Sequence, residues 1–443
     1  MTETLDTHSK ALQLNLDKSI FGSFAEIGAG QETARWFFKV GAASGTVAKT
    51  VSAYDKKVSD EMYGSQSRYV SRERLDLMLA CEWKQLLDQL EESRGAESRF
   101  FAFANTVAAR NFAGTNQCHG WIGIRFRTEP WQEPSEIILH VNMLDPSNAL
   151  QQEILGVIGV NLIYAAYHKR ESAEAFLSSL SENLGSGRLE IDLIDIAGPA
   201  LAGWNQRALN ASLVLDGLTE GVILPEADRM APPGEIFYKK PVVLEPDRFE
   251  NFESIHREVL TAALQEIRQE AETQGQIAAV GLYCIAGVDR SAAHAPQLTN
   301  LLSRVEQLNR SGAGVLLFRH KELYRITEFV DRYTNAPLRF VMGLSVLVKV
   351  LNDQYKSLPG SALEGLGKLY ARNVRTYIYP TSLQVLQKEL PNSEADSWRW
   401  QDMNSNNLIT ADELQPPYPL SHLYHYLLAT HFIVPITRLL STD

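Results

Sequence analysis

The chain has 443 residues, 45% of them apolar and 21% charged, and a formal net charge of −11. That length exceeds what one core usually holds, so two domains, or one large α/β domain with additions, are expected. The acidic balance argues against nucleic acid or an anionic membrane as partner. The three distant cysteines, Cys81, Cys118 and Cys284, exclude a disulfide framework and a cysteine-based zinc site.

The opening residues, MTETLDTHSKALQLNLDKSI, are too polar for the apolar region of a signal peptide. The longest apolar run, Ile154–Tyr167, falls short of the roughly twenty residues a membrane-spanning helix needs. A soluble, cytoplasmic protein is the expectation. Residues 1–99 read as a helical, glycine-rich section. Within it Thr2–Lys18 is polar and loosely held, and Gln31–Phe38 forms a helix. Gly41–Gly45 breaks that helix, Thr46–Tyr54 restarts it, and Ser71–Ser93 carries Leu75, Leu79, Leu86 and Leu90 at helical spacing.

Residues 100–230 read as mixed α/β. Phe100–Val107, His119–Thr128 and Glu136–Leu144 are rich in aromatic and β-branched residues and read as strands, the last two as a hairpin. Helices follow at Ala149–His168 and Ala173–Leu184. Ala231–Phe249 is proline-rich and reads as a seam between domains. Residues 250–380 alternate apolar strands with amphipathic helices, the pattern of βαβ units, and residues 381–443 form an irregular and helical extension. The fold expected is α/β, a mainly parallel sheet with helices on both faces. An open doubly wound sheet is preferred, and a closed β/α barrel is the alternative.

Ligands of parallel α/β folds bind beyond the carboxyl ends of the strands. Those ends carry Asn105, Asn142, Asp195, Glu226, Asp289 with Arg290, Arg319 with His320, and Gly343. In EIDLIDI, period-two alternation puts Glu190 and Asp192 on one face and Asp195 on the other. His119 lies beside Arg125 and Arg127, whose guanidinium groups suit a phosphate or carboxylate. In the opening stretch Glu26, Arg35 and Lys49 stand among glycines, with Lys49 expected in the first turn of a helix. The candidate catalytic residues are therefore Glu26, Asp195 and Asp289. Candidate ligand-binding residues are Arg35, Lys49, Asn105, His119, Arg125 and Arg290. His422, His425 and His431 lack the spacing of a helical metal motif, so no metal site is expected, and no cofactor can be named.

FAEIGAGQETARWFF, GAASGTVAKTVSAYD and RYVSRERLDLML resemble an uncharacterised bacterial protein family, and the resemblance continues through FFAFANTV, HGWIGIRF, QQEILGVIGVNLIYAAY and ALEGLGKLY. Members of that family carry labels such as nicotinamide-nucleotide adenylyltransferase or TonB-dependent receptor. His119–Gly120 is followed here by Trp121 and Ile122 rather than by the HxGH pattern of adenylyltransferases, so no residue role transfers. Two functional readings follow. One is a cytoplasmic enzyme or binding protein for a phosphorylated or nucleotide-like metabolite, its reaction unassigned. The other is a non-enzymatic assembly or regulatory protein, with a homo-oligomer compatible with either.

Overall fold

The computed structural model describes residues 5–226, 229–250, 254–275, 278–288, 294–352, 355, 357–389, 398–400 and 408–436. They form two units, Met1–Thr219 and Glu220–Asp443. The division thus falls ahead of the proline-rich stretch, which lies inside the second unit.

In the first unit the segment expected to be loose is a helix, α1 (Thr7–Leu16), whose N-cap Asp6 accepts from the Ser9 amide at 2.7 Å. Lys10 on its buried face reaches Asn161 Oδ1 at 2.8 Å and Glu182 at 2.6 Å, which ties the chain start into the unit. Then come β1 (Ile20–Ile27), α2 (Glu32–Val40) and β2 (Val47–Val51). The expected helix over Thr46–Tyr54 is therefore a strand, in keeping with its alternating Thr and Val residues. Next are α3 (Lys56–Tyr63), α4 (Arg72–Arg94), β3 (Arg99–Ala108), β4 (His119–Phe126), β5 (Ser135–Met143), α5 (Asn148–His168), α6 (Ala173–Ser181), β6 (Leu189–Ala197) and α7 (Gln206–Leu215).

The strand order is β2-β1-β3-β4-β5-β6. β2, β1 and β3 are parallel, and β3 to β6 run antiparallel. Short connections on either side of β4 permit only antiparallel neighbours, so this sheet is mixed rather than mainly parallel. On one face Phe24 of β1 meets Phe37 of α2 and Phe101 and Phe103 of β3, with Tyr167 of α5 edge-on to Phe101. On the other face Leu75 and Leu79 of α4 lie over Gly123 of β4. α5 is long and apolar enough to cross a membrane, but most of its side chains are buried within this unit.

The second unit contains β7 (Gly221–Leu224), α8 (Pro233–Ile236), β8 (Val242–Asp247), α9 (Ser254–Gln269), β9 (Val280–Ala286), α10 (His294–Asn309), β10 (Gly314–Phe318), α11 (Leu323–Asp331), β11 (Leu338–Gly343), α12 (Leu344–Asn352), α13 (Ser361–Leu369) and β12 (Val374–Tyr379). After these come the two-residue strands β13 (Thr381–Ser382), β14 (Arg399–Trp400), β15 (Leu408–Ile409) and β16 (Leu414–Gln415), with α14 (Leu383–Glu389), α15 (Leu420–Ala429) and β17 (Ile433–Pro435).

The large sheet has the order β17-β12-β11-β8-β9-β10-β7. Every neighbouring pair in it is parallel except β7 with β10. The chain lays down β8, β9 and β10 outward on one side, then returns past β8 to build β11, β12 and β17 on the other. That is the order 3-2-1-4-5-6 of doubly wound sheets, with its reversal between β8 and β11. The sheet is open, as preferred from the sequence, and the barrel alternative is set aside. Leu244, Phe340 and Met342 pack with α11, α12 and α13 on one face, and Leu264 of α9 covers Gly281 on the other.

Candidate functional site

The carboxyl ends of β1, β2 and β3 lie along one edge of the first sheet, because the three strands are parallel. The turn after β1 passes through Gly28 and Gly30, both with left-handed backbone, and then enters α2. Gly30 donates its amide to Tyr54 Oη at 3.0 Å, and Ser52 Oγ donates to the Glu26 carbonyl at 2.8 Å. A glycine turn at a helix N-terminus is a ready seat for an anion. Here the chain fills that seat itself. The buried Glu26 carboxylate accepts from the amides of Thr33 at 3.1 Å and Ala34 at 2.9 Å and from Asn105 Nδ2 at 2.9 Å. Burial pushes the Glu26 pKa up, and those hydrogen bonds pull against it.

The three residues expected to converge around an anion do not. Lys49 lies on β2 rather than in a helix, on the α4 side, 3.0 Å from the buried Glu82 and hydrogen-bonded to Gln85. Arg35 is exposed on α2 and bonds Glu32 at 3.2 Å. It lines a groove of about 360 Å³ in which Glu32, Glu153 and Lys39 mix both charge signs. Arg125 pairs with Glu136 across β4 and β5. Asp195 accepts from Arg72 at 2.5 Å and from Gln206 at 2.8 Å. Asp289 and Arg290 lie outside the described residues.

His119 is the sequence candidate placed in a catalytic-type arrangement. It starts β4, and the hairpin register sets Trp121 opposite His140. His119 Nδ1 lies 3.0 Å from His140 Nε2, and His140 Nδ1 lies 2.6 Å from Asp192 Oδ1. Asn142 Nδ2 donates to Asp192 Oδ2 at 2.7 Å, and the Trp121 ring stands edge-on to His140 at 4.8 Å.

This chain depends on a β-bulge. His140 is opposite Leu193 and Val141 is opposite Ile191, so Asp192 is the extra residue. A bulge re-aims its side chain. It places Glu190, Asp192 and, beyond it, Asp195 on the α4 face, where strict alternation had put Asp195 on the opposite one.

The hydrogen-bond pattern assigns the protons. With Asp192 accepting from His140 Nδ1, His140 Nε2 is the acceptor for His119 Nδ1–H. His119 Nε2 is then left with a lone pair at the half-buried end of the chain. Burial, and then the neighbouring His140, lower the His119 pKa to about 4, with Arg68 adding to the shift. Arg68 is carried on the segment between α3 and α4. That segment is clamped by Thr106 Oγ1 donating to the Tyr69 carbonyl at 2.6 Å and by Arg74 donating to the Gly64 carbonyl at 2.5 Å. Beside it an open groove of about 460 Å³ is lined by Asp55, Lys56, Lys57, Asp60, Glu61 and Ser65. His140 carried no signal in the sequence. Its role appears only once the register of the hairpin is known. Among the described residues no cluster of three or more His, Cys, Asp or Glu side chains suits a metal ion.

The depressed pKa has a thermodynamic consequence. Unfolded, the imidazole takes up its proton near pH 6.5; folded, near 4. Between those values the unfolded state binds more protons, so stability falls as pH drops from about 6.5 to 4. The loss expected from His119 is on the order of 2–3 kcal/mol. Urea unfolding of wild type and His119→Gln across this range checks it: the variant should show a shallower decline, and identical slopes would contradict the assignment.

No family model matches the chain, and no curated protein matches it. Part of the chain is similar to solved structures of competence/damage-inducible proteins. The competence/damage inducible protein CihA from Agrobacterium tumefaciens is 17% identical, covers 37% of this chain and 98% of its own length, and has a TM-score of 0.28. A CinA superfamily protein from Klebsiella pneumoniae 700603 is 10% identical, with coverage of 36% and 96% and a TM-score of 0.28. A competence or damage-inducible protein from Enterobacter asburiae is 12% identical, with coverage of 36% and 95% and a TM-score of 0.27. Similarity at this level assigns neither an activity nor a site to the present chain.

Proposed function

We propose that the first unit is a cytoplasmic enzyme domain. It moves a proton on a small phosphorylated or nucleotide-like metabolite, bound where β1, β2 and β3 end beside β4. The observation that carries this reading is the Asp192–His140–His119 chain, which presents an unprotonated His119 Nε2 within the field of Arg68. His119 Nε2 takes the proton from water or from a ligand hydroxyl. His140 shares the resulting charge, and Asp192 neutralises it. Arg68 supplies the positive field that an anionic ligand needs. The free cysteines agree with a reducing compartment.

The test incubates the full chain with nicotinamide mononucleotide, AMP and ribose 5-phosphate, following binding by calorimetry and products by mass spectrometry. For a ligand that is turned over, His119→Ala is expected to cut the rate about a hundredfold or more. Affinity should change only severalfold. Asp192→Asn should also slow the reaction, by offering His140 the wrong hydrogen-bond partner. Turnover unchanged in His119→Ala would remove the base from the mechanism, and failure of all three ligands to bind would end the enzymatic reading.

A further inference from the structure

β8 and β11 flank the reversal point of the second unit's sheet. Their ladder joins Val242–Leu244 to Leu338–Phe340 and stops there. β8 nevertheless stays paired with β9 as far as Asp247 opposite Ile285, and β11 stays paired with β12 as far as Gly343 opposite Tyr379. The sheet is therefore split between its two central strands over their last three residues. Open α/β sheets take their ligands in this kind of crevice, at the carboxyl ends of the strands where the winding direction changes.

Glu245 is the first β8 residue inside the split, and it is 2% exposed. One carboxylate oxygen, Oε1, lies 2.6 Å from His256 Nδ1 of α9. The other, Oε2, is buried with no hydrogen-bond partner among the described residues. A buried carboxylate oxygen without a donor costs free energy that folding alone does not explain. Burial pushes the Glu245 pKa up to about 7, against the pull of His256. Phe249 roofs the pair, its ring 5.1 Å from His256 and 5.3 Å from Tyr283. It does so with a φ of 50°, a left-handed backbone that is costly for an aromatic residue.

We propose that the second unit binds a neutral, hydroxyl-bearing metabolite, a sugar or a nucleoside, in the split between β8 and β11, with Glu245 Oε2 accepting a ligand hydroxyl. The seat lacks a donor rather than a cation. Glu245 already faces His256, and an added ammonium group would bring a further charge into a buried place, whereas a hydroxyl brings none. Val341 of β11, buried and on the same face of the sheet as Glu245, offers an apolar flank suited to the carbon face of a sugar. Ligand entry displaces the Phe249 ring and lets its backbone leave the left-handed region. This site is separate from the one proposed in the first unit.

Hydrogen–deuterium exchange on the full chain, with millimolar D-ribose or adenosine, tests the proposal on wild type, Glu245→Gln and Glu245→Leu. Peptides spanning residues 242–260 and 338–345 should gain protection in wild type while those of the first unit do not. Glu245→Gln should weaken binding tenfold or more, and Glu245→Leu should abolish it. Protection by both ligands identifies the sugar as the recognised part, and protection by adenosine alone makes the base necessary. Absence of protection with either ligand, equal affinity in Glu245→Gln, or protection by spermidine in place of both overturns the proposal.

Discussion

Substituting Gly28 by valine is expected to cost the first unit about 3–6 kcal/mol. A Cβ at this position would lie 2.0 Å from the Val107 carbonyl oxygen and 3.0 Å from its carbon, and the backbone has a φ of 108°. Neither conflict can relax cheaply. Val107 is locked into the β3–β4 ladder opposite Gly120, where a Cβ would in turn lie 2.2 Å from a Val107 methyl. Val107 thus sits between Gly28 of the turn after β1 and Gly120 of β4. The space they leave lets the turn before α2 close down on the strand pair that carries His119. Thermal unfolding should show the transition of this unit lowered by roughly 6–20 °C. Gly28→Ala should fall between wild type and valine. A valine variant melting within about 2 °C of wild type would show that the turn has room the geometry denies it.

Replacing Arg339 by methionine should destabilise the second unit by about 3–5 kcal/mol, the usual cost of breaking a buried ion pair from one side. The guanidinium is fully buried on β11. It donates to Glu270 Oε1 at 2.9 Å, to the Asn373 carbonyl at 2.8 Å and to the Leu338 carbonyl at 3.0 Å. Tyr377 of β12 donates to the same Glu270 carboxylate, and Arg375 lies 3.3 Å from it. Removing Arg339 leaves the Asn373 carbonyl without this donor and a mostly buried Glu270 without its main counter-charge. Pairing it with Glu270→Met should recover part of the loss, giving a coupling energy of at least about 1 kcal/mol in a double-mutant cycle by urea unfolding. Strict additivity would mean that the two side chains do not act as a pair. This network pins the carboxyl end of α9 to the sheet, at the end of that helix remote from His256.

The alternation of strands and helices in the second unit was legible because each strand is a short apolar run and each helix an amphipathic one. Its strand order was not, since order depends on pairings between residues far apart in the chain. The central strand β8 was hidden in a stretch read as a seam, because prolines flank and enter it. Pro246 is tolerated because it lies past the end of the β8–β11 ladder, where a missing amide breaks no bond to that neighbour. In the first unit, β1 reads poorly as a strand because Gly22 and Ser23 interrupt its apolar residues. Gly22 is required there, since a Cβ would stand 2.1 Å from the Phe101 carbonyl oxygen. The anion reading of the opening stretch looked to a helix N-terminus whose amides Glu26, eight residues before Ala34, occupies from within the chain. Of the three residues of the His119 chain, the sequence named His119 as a ligand-binding candidate and Asp192 only as one of a pair of carboxylates. His140 is separated from His119 by a loop and most of a strand, and Asp192 faces it only through an irregularity that a period-two rule cannot contain.

That irregularity also determines which insertions and deletions strand β6 can absorb. Asp192 is a single supernumerary residue, and the strand before it and the strand after it run in opposite phase. Loss of Asp192 would leave Glu190 and Asp195 facing as they do now, with an unbroken ladder and no acid behind His140. A protein one residue shorter at this point would keep the fold and lose the proton chain. A gap of one residue here therefore separates a sheet that holds the Asp192–His140–His119 chain from one that lacks it.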